Sequence, residues 1–455
     1  MDRRDFLKLG GMMLGAAGTM GLPSSVRATM NSEYETAILA EKPVYRPDGW
    51  KGARVRTVDF PGGPIDVNNL KQVDLNTCSS LGTTKIVGPV ASRRELDGGF
   101  MKFDINAYGD KAELNKKAGP QYYSPLGMAI AMTARRTGYE EDVDGIPREK
   151  KLPIPDPVTM ARHIKDVALY LGADDCGIGL VPIQSVFTHQ AATHEEMKFK
   201  GVPQSYEKPV HNTHPLAIVM LYNQDFKMGT MASNGYDGGT FGARRAYLYS
   251  GLNADVLARY IRNLGYEARA HHNENYHVMV PPLLISAGMG ELSRLGECVL
   301  HPYLGTNFKA SVVTTNMPLM PDKPIDFGLH EFCKVCKKCA EHCPSKAISD
   351  LDDPVEYNGY LRYPLDSKAC TIFRRTQPEG YGCGRCAVVC PWANKEDSWF
   401  HYLGSYMSSM KSSALNRLRE RADQDSPYAH RAGDPHAGNA GIPSDGKHPP
   451  LPPRL

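Results

Sequence analysis

The sequence carries little net charge and lacks several of the motifs that mark common classes of enzyme. Its 455 residues include 53 Lys plus Arg against 50 Asp plus Glu, a formal charge of +3, so no field for long-range attraction of nucleic acid is expected. No apolar run reaches the roughly 20 residues that a membrane-spanning helix needs. There is no Walker loop, GxGxxG fingerprint or HExxH motif, and nucleotide-dependent and zinc-protease classes therefore have no support.

The first residues have the order of an export signal. Paired Arg3 and Arg4 are followed by Phe6, Lys8 and a small-residue apolar run that ends shortly before Ala28. This pattern predicts a twin-arginine signal peptide over residues 1–28, cleaved after Ala28. Because that route carries folded proteins, it suits a chain that receives its cofactors before export.

The eleven cysteines are unevenly distributed. Disulfides are one reading in an oxidising compartment, but eight of the eleven lie between residues 333 and 390. The run CKVCKKCAEHCP has the two, two and three residue gaps and the following proline of a bacterial ferredoxin. A second set ends in CGRCAVVCP, and its first gap is stretched to twelve residues.

This spacing predicts two [4Fe-4S] clusters with crossed ligands, since the fourth cysteine of each ferredoxin run reaches the neighbouring cluster. The predicted ligands of cluster 1 are Cys333, Cys336, Cys339 and Cys390. Those of cluster 2 are Cys343, Cys370, Cys383 and Cys386. Zinc is the alternative, but zinc sites use separated Cys pairs and lack the Cys-Pro endings.

The middle of the chain alternates between helical and extended patterns. The patterns predict a helix over Met160–Leu171, strands in GIGLVPIQSVF and in His214–Tyr222, and a helix whose apolar face is formed by Leu252, Val256, Leu257, Tyr260, Ile261 and Leu264 and which stops at Gly265. A strand around EARAHHNENYHVMV, a helix at PLLISAGMGELSRLG and an extended run to Val313 follow. The fold class is therefore α+β or α/β.

The predicted organisation divides the chain into six parts. They are a signal peptide (1–28), an N-terminal region (29–150), a core (151–320), a ferredoxin-like two-cluster domain (321–400), a C-terminal helix (401–422) and a disordered tail (423–455) rich in Pro, Gly, Asp and His. A two-cluster module fused to a large core indicates electron delivery to a further redox centre.

The leader, the mixed core, PDKPIDFGLHEFCKVCKKCAEHCPSKAIS and the stretched second set ending CPW together resemble the reductive dehalogenases. The resemblance is strongest over Tyr247–Trp399. It implies a nitroreductase-like core that binds a cobalamin-type corrinoid base-off, with no protein ligand beneath the cobalt. It also implies cleavage of carbon-halogen bonds of an organohalide, as terminal reductase of anaerobic respiration.

The resemblance assigns three catalytic positions. Tyr247 matches the proton-donating tyrosine, with Tyr249 as its competitor, and Asn273 within HHNEN matches an asparagine that hydrogen-bonds substrate or tyrosine. The family's arginine-bearing run YGPRVRL is replaced here by YLGTNFKAS, in which Lys309 is the one cation. His271, His272 and His277 are expected to be hydrogen-bonding or solvated, and Cys78, Cys176 and Cys298 to be ordinary buried thiols.

The expected partners also follow from the resemblance. They are an organohalide, a small membrane-anchor subunit and an unidentified electron donor, which would place the chain peripherally on the outer, periplasmic face of the cytoplasmic membrane. Two alternatives remain. One is an epoxyqueuosine reductase, a tRNA-modifying corrinoid enzyme that should be cytoplasmic and basic, and the other is an exported two-cluster electron-transfer subunit without a substrate.

Overall fold

The computed structural model describes residues 55–116, 125–224, 238–272, 275–376, 382–393 and 399–424. The predicted signal peptide, Asn273 and residues 425–455 of the predicted tail lie outside these ranges. The described residues all lie within one structural unit, Asp48–Leu455. Within them, no helix combines the length and apolar character needed to span a bilayer.

The strands are short except for those at the centre of the chain. In chain order they are β1 (Arg56–Thr57), β2 (Ser80–Leu81), β3 (Thr84–Lys85), β4 (Asp175–Leu180), β5 (His189–Ala191), β6 (Glu207–Pro209), β7 (Leu216–Asn223), β8 (Ala268–His271), β9 (Glu291–Leu292), β10 (Val299–Leu300), β11 (Phe308–Thr315), β12 (Ile325–Asp326), β13 (Val355–Tyr357) and β14 (Tyr360–Arg362).

The helices include one of 26 residues. In chain order they are α1 (Gly99–Asp104), α2 (Lys111–Asn115), α3 (Pro125–Arg136), α4 (Glu140–Val143), α5 (Pro157–Tyr170), α6 (Gly238–Asn263), α7 (Val280–Ser286), α8 (Leu329–Val335), α9 (Lys338–Glu341), α10 (Ser367–Thr376), α11 (Arg385–Val388), α12 (Trp399–Ser409) and α13 (Ser413–Gln424).

A four-stranded sheet in the order β4-β7-β11-β8 forms the centre, and all of its pairings are antiparallel. Strand β7 is buried from Leu216 to Tyr222, because both faces of the sheet are covered. Its even-numbered residues pack with α5 and α6, whereas its odd-numbered residues pack with α7. A mixed helix and sheet fold was predicted. The alternation of helical and extended sequence patterns does not show that the strands pair antiparallel. This pairing makes the fold an α+β arrangement.

The predicted helix over Met160–Leu171 is confirmed as α5, which starts at Pro157. The Asp156 side chain accepts a hydrogen bond from the Val158 N–H at this start, and proline at the first helical position suits the fixed backbone angle there. The predicted strand at His214–Tyr222 is confirmed as β7.

Helix α6 ends before Gly265, whose φ of +89° provides the predicted stop. Its apolar face differs from the predicted one. Leu257 and Ile261 are fully buried, but Leu252 and Val256 are 45% and 50% exposed. The 100° step per residue turns these two side chains away from the sheet.

Two predicted helices are shorter than expected. The segment PLLISAGMGELSRLG is helical only to Ser286, because Gly288 at φ +65° starts a turn that leads into β9. The predicted C-terminal helix over 401–422 is two helices, α12 and α13. Lys411, at φ +58°, breaks the helical path between them.

Candidate active site and cysteine clusters

Tyr247 lies in the first half of α6, on the helix face that meets the sheet. Ala246 and Ala254 on the same side are buried in the core beneath α6. The Ser250 hydroxyl donates a hydrogen bond to the Tyr247 carbonyl at 3.0 Å, and the Tyr247 side chain is half-buried. The helix thus holds the phenol at the border between the core and an accessible space.

Lys309 reaches this phenol from β11. Its neighbours Phe308 and Ala310 pack on the α7 side of the sheet, so the alternation of a strand directs Lys309 to the α6 side. The Lys309 Nζ lies 4.6 Å from the centre of the Tyr247 ring, within the range of a cation-π contact. The structure therefore brings together two of the three predicted catalytic residues.

The other predicted positions are distinguished by their placement. Tyr249, the competitor of Tyr247, is 52% exposed, because two residues along a helix turn a side chain by about 200°. Asn273 lies outside the described residues. The catalytic roles of Tyr247, Lys309 and Asn273 stay predictions.

A buried acid and histidine pair lies near the same end of the sheet and was not predicted from the sequence. The His301 Nε2 is 2.8 Å from the Asp175 carboxylate. The His301 Nδ1 accepts hydrogen bonds from the N–H groups of Tyr303 and Leu304, which leaves Nε2 as the donor to Asp175. No local motif marks this pair, because its two residues lie 126 positions apart in the chain.

Two of the three unassigned histidines, His271 and His272, form internal side-chain hydrogen bonds, as expected. His272 Nε2 lies 2.7 Å from the Asp255 carboxylate, and His271 Nε2 lies 2.9 Å from the Thr314 hydroxyl. The His277 backbone N–H donates to His271 Nδ1 at 3.1 Å. Burial is the main cause that lowers the pKa of both His271 and His277. Among the described residues, no group of three His, Cys, Asp or Glu could hold a metal ion.

None of the eight cysteines between residues 333 and 390 forms a disulfide. Burial raises the pKa of Cys333, Cys336 and Cys339, and the nearby Cys390 raises each of the three further. These are the four thiols predicted to hold cluster 1. Cys333 and Cys336 lie in one buried cluster, and Cys390 packs against it.

The remaining four thiols form a second group. Burial raises the pKa of Cys370 and Cys383, and Cys343 adds to both shifts. Burial also raises the pKa of Cys386, to which Cys383 and Cys370 contribute. The grouping corresponds to the predicted ligands of cluster 2, and the individual ligand assignments stay predictions.

The surroundings of Cys343 suit an iron-sulfur ligand. Although burial opposes the change, hydrogen bonds from Ser345, Ala347 and Ile348 lower the pKa of Cys343, and the Ala347 N–H lies 3.3 Å from its sulfur. Such donors stabilise a thiolate and tune a bound cluster.

Cys298 connects the second cysteine group with the Tyr247 and Lys309 site. Cys298 is exposed rather than buried, and the surrounding protein raises the pKa of its thiol to about 11. Lys309, Arg374 and Cys370 all lie close enough to influence that pKa. Cys298 thus lies near both Lys309 and Cys370, one of the predicted ligands of cluster 2.

Comparison with known proteins supports the two-cluster segment. A family model described as a 4Fe-4S double cluster binding domain matches residues 332–393. The matched segment includes all eight predicted ligand cysteines, because it begins before Cys333 and ends after Cys390. The prediction of a two-cluster iron-sulfur domain is confirmed.

Sequence relatives extend over more of the chain. Tetrachloroethene reductive dehalogenase of Sulfurospirillum multivorans is 31% identical over 344 residues, which are 70% of this chain and 64% of the relative. The enzyme of the same description from Dehalobacter restrictus is 33% identical over 194 residues, 40% of this chain and 34% of the relative. The chain thus spans less than two thirds of the length of these curated relatives.

Solved structures of reductive dehalogenases are similar to this chain in fold. The catabolic reductive dehalogenase NpRdhA, in complex with 3-bromo-4-hydroxybenzoic acid, superposes with a TM-score of 0.67 at 30% identity, over 82% of this chain and 50% of that chain. A reductive dehalogenase whose structure suggests a mechanism for B12-dependent dehalogenation gives 0.66 with the same identity and coverage. The predicted nitroreductase-like core with a ferredoxin-like domain is confirmed by these matches.

Proposed function

Since the chain is a homologue of the reductive dehalogenases in both sequence and fold, we propose that it is the catalytic subunit of such an enzyme. It cleaves a carbon-halogen bond of an organohalide and acts as terminal reductase of anaerobic organohalide respiration. The observation that carries this proposal is the pairing of Tyr247 with Lys309 on the side of the second cysteine group.

The reaction consumes two electrons and one proton and releases a halide ion, while hydrogen replaces the halogen on carbon. Tyr247 supplies the proton from its hydroxyl group. A phenol normally has a pKa of about 10 and gives up its proton more readily beside a cation. Lys309, with its Nζ at 4.6 Å from the Tyr247 ring centre, stabilises the phenolate that remains.

The surroundings of Cys298 fit a corrinoid. Arg374 lies near Cys298, and its Nε is buried without a hydrogen-bond partner among the described residues. A corrinoid carries peripheral amide oxygens that would accept from such a donor, and Cys298 would line the same space. When bound, the corrinoid would supply low-valent cobalt for the reductive cleavage.

The two cysteine groups bind the clusters that carry electrons to this site. Cys370 and Cys386, two predicted ligands of cluster 2, both interact electrostatically with Cys298, which also lies near Lys309. In this proposal, electrons from an external donor pass from cluster 1 to cluster 2 before they reach the site of Tyr247 and Lys309. Export by the twin-arginine route and a small membrane-anchor partner complete the proposal.

The decisive variant is Tyr247→Phe, with Tyr249→Phe as its matched control. Because general acid catalysis contributes 10²- to 10⁴-fold, we expect halide release to fall at least about 100-fold in the first variant and to stay near normal in the second. Cobalt and iron contents must stay unchanged in both. Retained turnover in Tyr247→Phe removes this residue from the role.

Metal content separates the alternatives. The reductive dehalogenase proposal requires cobalt together with about eight irons per chain, the number in two four-iron clusters. If the anaerobically purified protein contains the irons but does not bind a corrinoid, the chain is an electron-transfer subunit. An epoxyqueuosine reductase of Lactococcus garvieae is 30% identical over 118 residues, 25% of this chain and 32% of that enzyme, and reduction of epoxyqueuosine without halide release would favour that activity.

A further inference from the structure

Arg294 is a fully buried cation in the segment between β9 and β10. Its exposed fraction is 0%, which is rare for arginine unless a carboxylate pairs with it. Among the described residues, however, every hydrogen-bond acceptor of its guanidinium is a neutral backbone carbonyl. No carboxylate pairs directly with this guanidinium, and Asp352, an acidic side chain that interacts with its charge at longer range, is exposed to solvent.

The guanidinium is directed at the cluster 1 segment. Its Nε donates to the Cys333 carbonyl at 3.0 Å, and Nη2 donates to the same oxygen. Nη1 donates to the carbonyls of Ser349 and Leu351 at 3.0 and 2.6 Å. The Tyr363 ring lies against the opposite side, 4.2 Å from the guanidinium carbon. Five donors in a planar fork suit this fixed position.

The predicted ligand is itself part of the interior around Arg294. Cys333 is 8% exposed and belongs to the same buried cluster as Tyr363, the ring on which the guanidinium stacks. The cation and a predicted ligand of cluster 1 therefore share one buried region.

We propose that Arg294 raises the reduction potential of the cluster held by Cys333, Cys336, Cys339 and Cys390. On reduction the cluster gains one electron and one negative charge, and no bond forms or breaks. A nearby cation stabilises the more negative state, and it does so strongly in an interior of low dielectric constant. Net charge and hydrogen bonds to sulfur are recognised determinants of cluster potential.

This role assists electron delivery in the proposed reaction, but it rests on the double-cluster domain and not on dehalogenation. Arg362 provides a matched control because it is 5% exposed and also stacks on a tyrosine, Tyr357, at 3.5 Å. Unlike Arg294, it pairs with a carboxylate, that of Glu297, at 3.2 Å. Its charge is therefore largely compensated.

The test is a potentiometric titration of the full, anaerobically purified chain with both clusters, followed by electron paramagnetic resonance without substrate. In Arg294→Gln, we expect the equilibrium constant for reducing one cluster to fall at least tenfold, which is 59 mV for a one-electron couple. The other cluster should change less than threefold. Arg294→Lys, which keeps the charge, and Arg362→Gln should both stay within threefold of the native chain.

Three results overturn the proposal. The first is an unchanged potential in Arg294→Gln with eight irons retained. The second is an equal shift in Arg294→Lys or in Arg362→Gln, which assigns the effect to lost hydrogen bonds or to general loosening. The third is loss of four irons from Arg294→Gln, which would show that Arg294 only holds the cluster-binding segment in place. Absence of halide release from the native chain does not alter any of these readings.

Discussion

At the scale of single residues, the proposed site has a lysine, Lys309, where the family resemblance predicts an arginine. The Lys309 ammonium is a compact point charge without the planar fork of arginine. Its Nζ lies over the face of the Tyr247 ring at 4.6 Å from the centre, and a cation-π contact of this kind does not require a planar guanidinium. The departure from the family pattern is therefore compatible with the activation of a tyrosine.

We predict that Lys309→Met lowers kcat about tenfold and leaves KM within about threefold. A cation beside an aromatic ring contributes about 1 to 2 kcal/mol when it is partly desolvated, and 1.36 kcal/mol corresponds to a factor of ten in rate. Steady-state halide release provides both constants. A variant with native kcat would show that another cation serves Tyr247, and Lys309→Arg is the charge-conserving control.

At the scale of elements, the close approach of α7 to β4 explains two glycines in the predicted strand GIGLVPIQSVF. A Cβ placed on Gly179 would lie 2.5 Å from the Ala287 nitrogen and 2.7 Å from the Ser286 carbonyl carbon. Both are backbone atoms at the end of α7, which cannot move aside as a flexible side chain would. The glycine lets the helix pack directly on the strand.

We predict that Gly179→Ala destabilises the fold by about 1 to 3 kcal/mol, the usual cost of overpacking a close-packed interior. The expected observation is a lower urea midpoint for unfolding. Gly88→Ala is the control, because a Cβ there would meet its nearest neighbour at an ordinary 3.7 Å. Equal midpoints for the two variants would contradict the assigned contact.

At the scale of the whole molecule, buried titratable groups make stability depend on pH. Burial lowers the pKa of His277 to about 2 and that of His271 well below 6.5, so both stay neutral in the fold while the unfolded chain takes up two protons below pH 6.5. Glu291 acts in the opposite direction. Burial raises its pKa to about 7, so the fold holds one proton that the unfolded chain releases above about 4.5.

We predict that stability falls as the pH is lowered from 7.5 to 5.5, because the unfolded chain takes up protons at His271 and His277 that the fold excludes. Glu291 opposes part of this loss, so in Glu291→Gln the fall should steepen by about 1.4 kcal/mol per pH unit, the contribution of one proton. Urea midpoints between pH 7.5 and 5.5, with iron content checked, measure both slopes, and rising midpoints on acidification would contradict the assignment.

The sequence alone determined the features that depend on local spacing. The gaps within CKVCKKCAEHCP and CGRCAVVCP predict two clusters because a turn of two residues directs successive thiols to one volume. The same holds for α5 and β7, whose apolar periodicity and Asp156 cap are local signals. The family resemblance followed from these motifs, and with it the assignment of Tyr247 and Lys309 as partners.

Only the tertiary structure decided which distant residues meet. The antiparallel sheet order places Lys309 of β11 beneath Tyr247 of α6, and the exposure of Leu252 and Val256 follows from how α6 rotates against that sheet. Arg294 has no sequence signal at all, since its acceptors are backbone carbonyls that any residue would provide. Side-chain periodicity is fixed by local geometry, whereas contacts between elements depend on how the whole core packs.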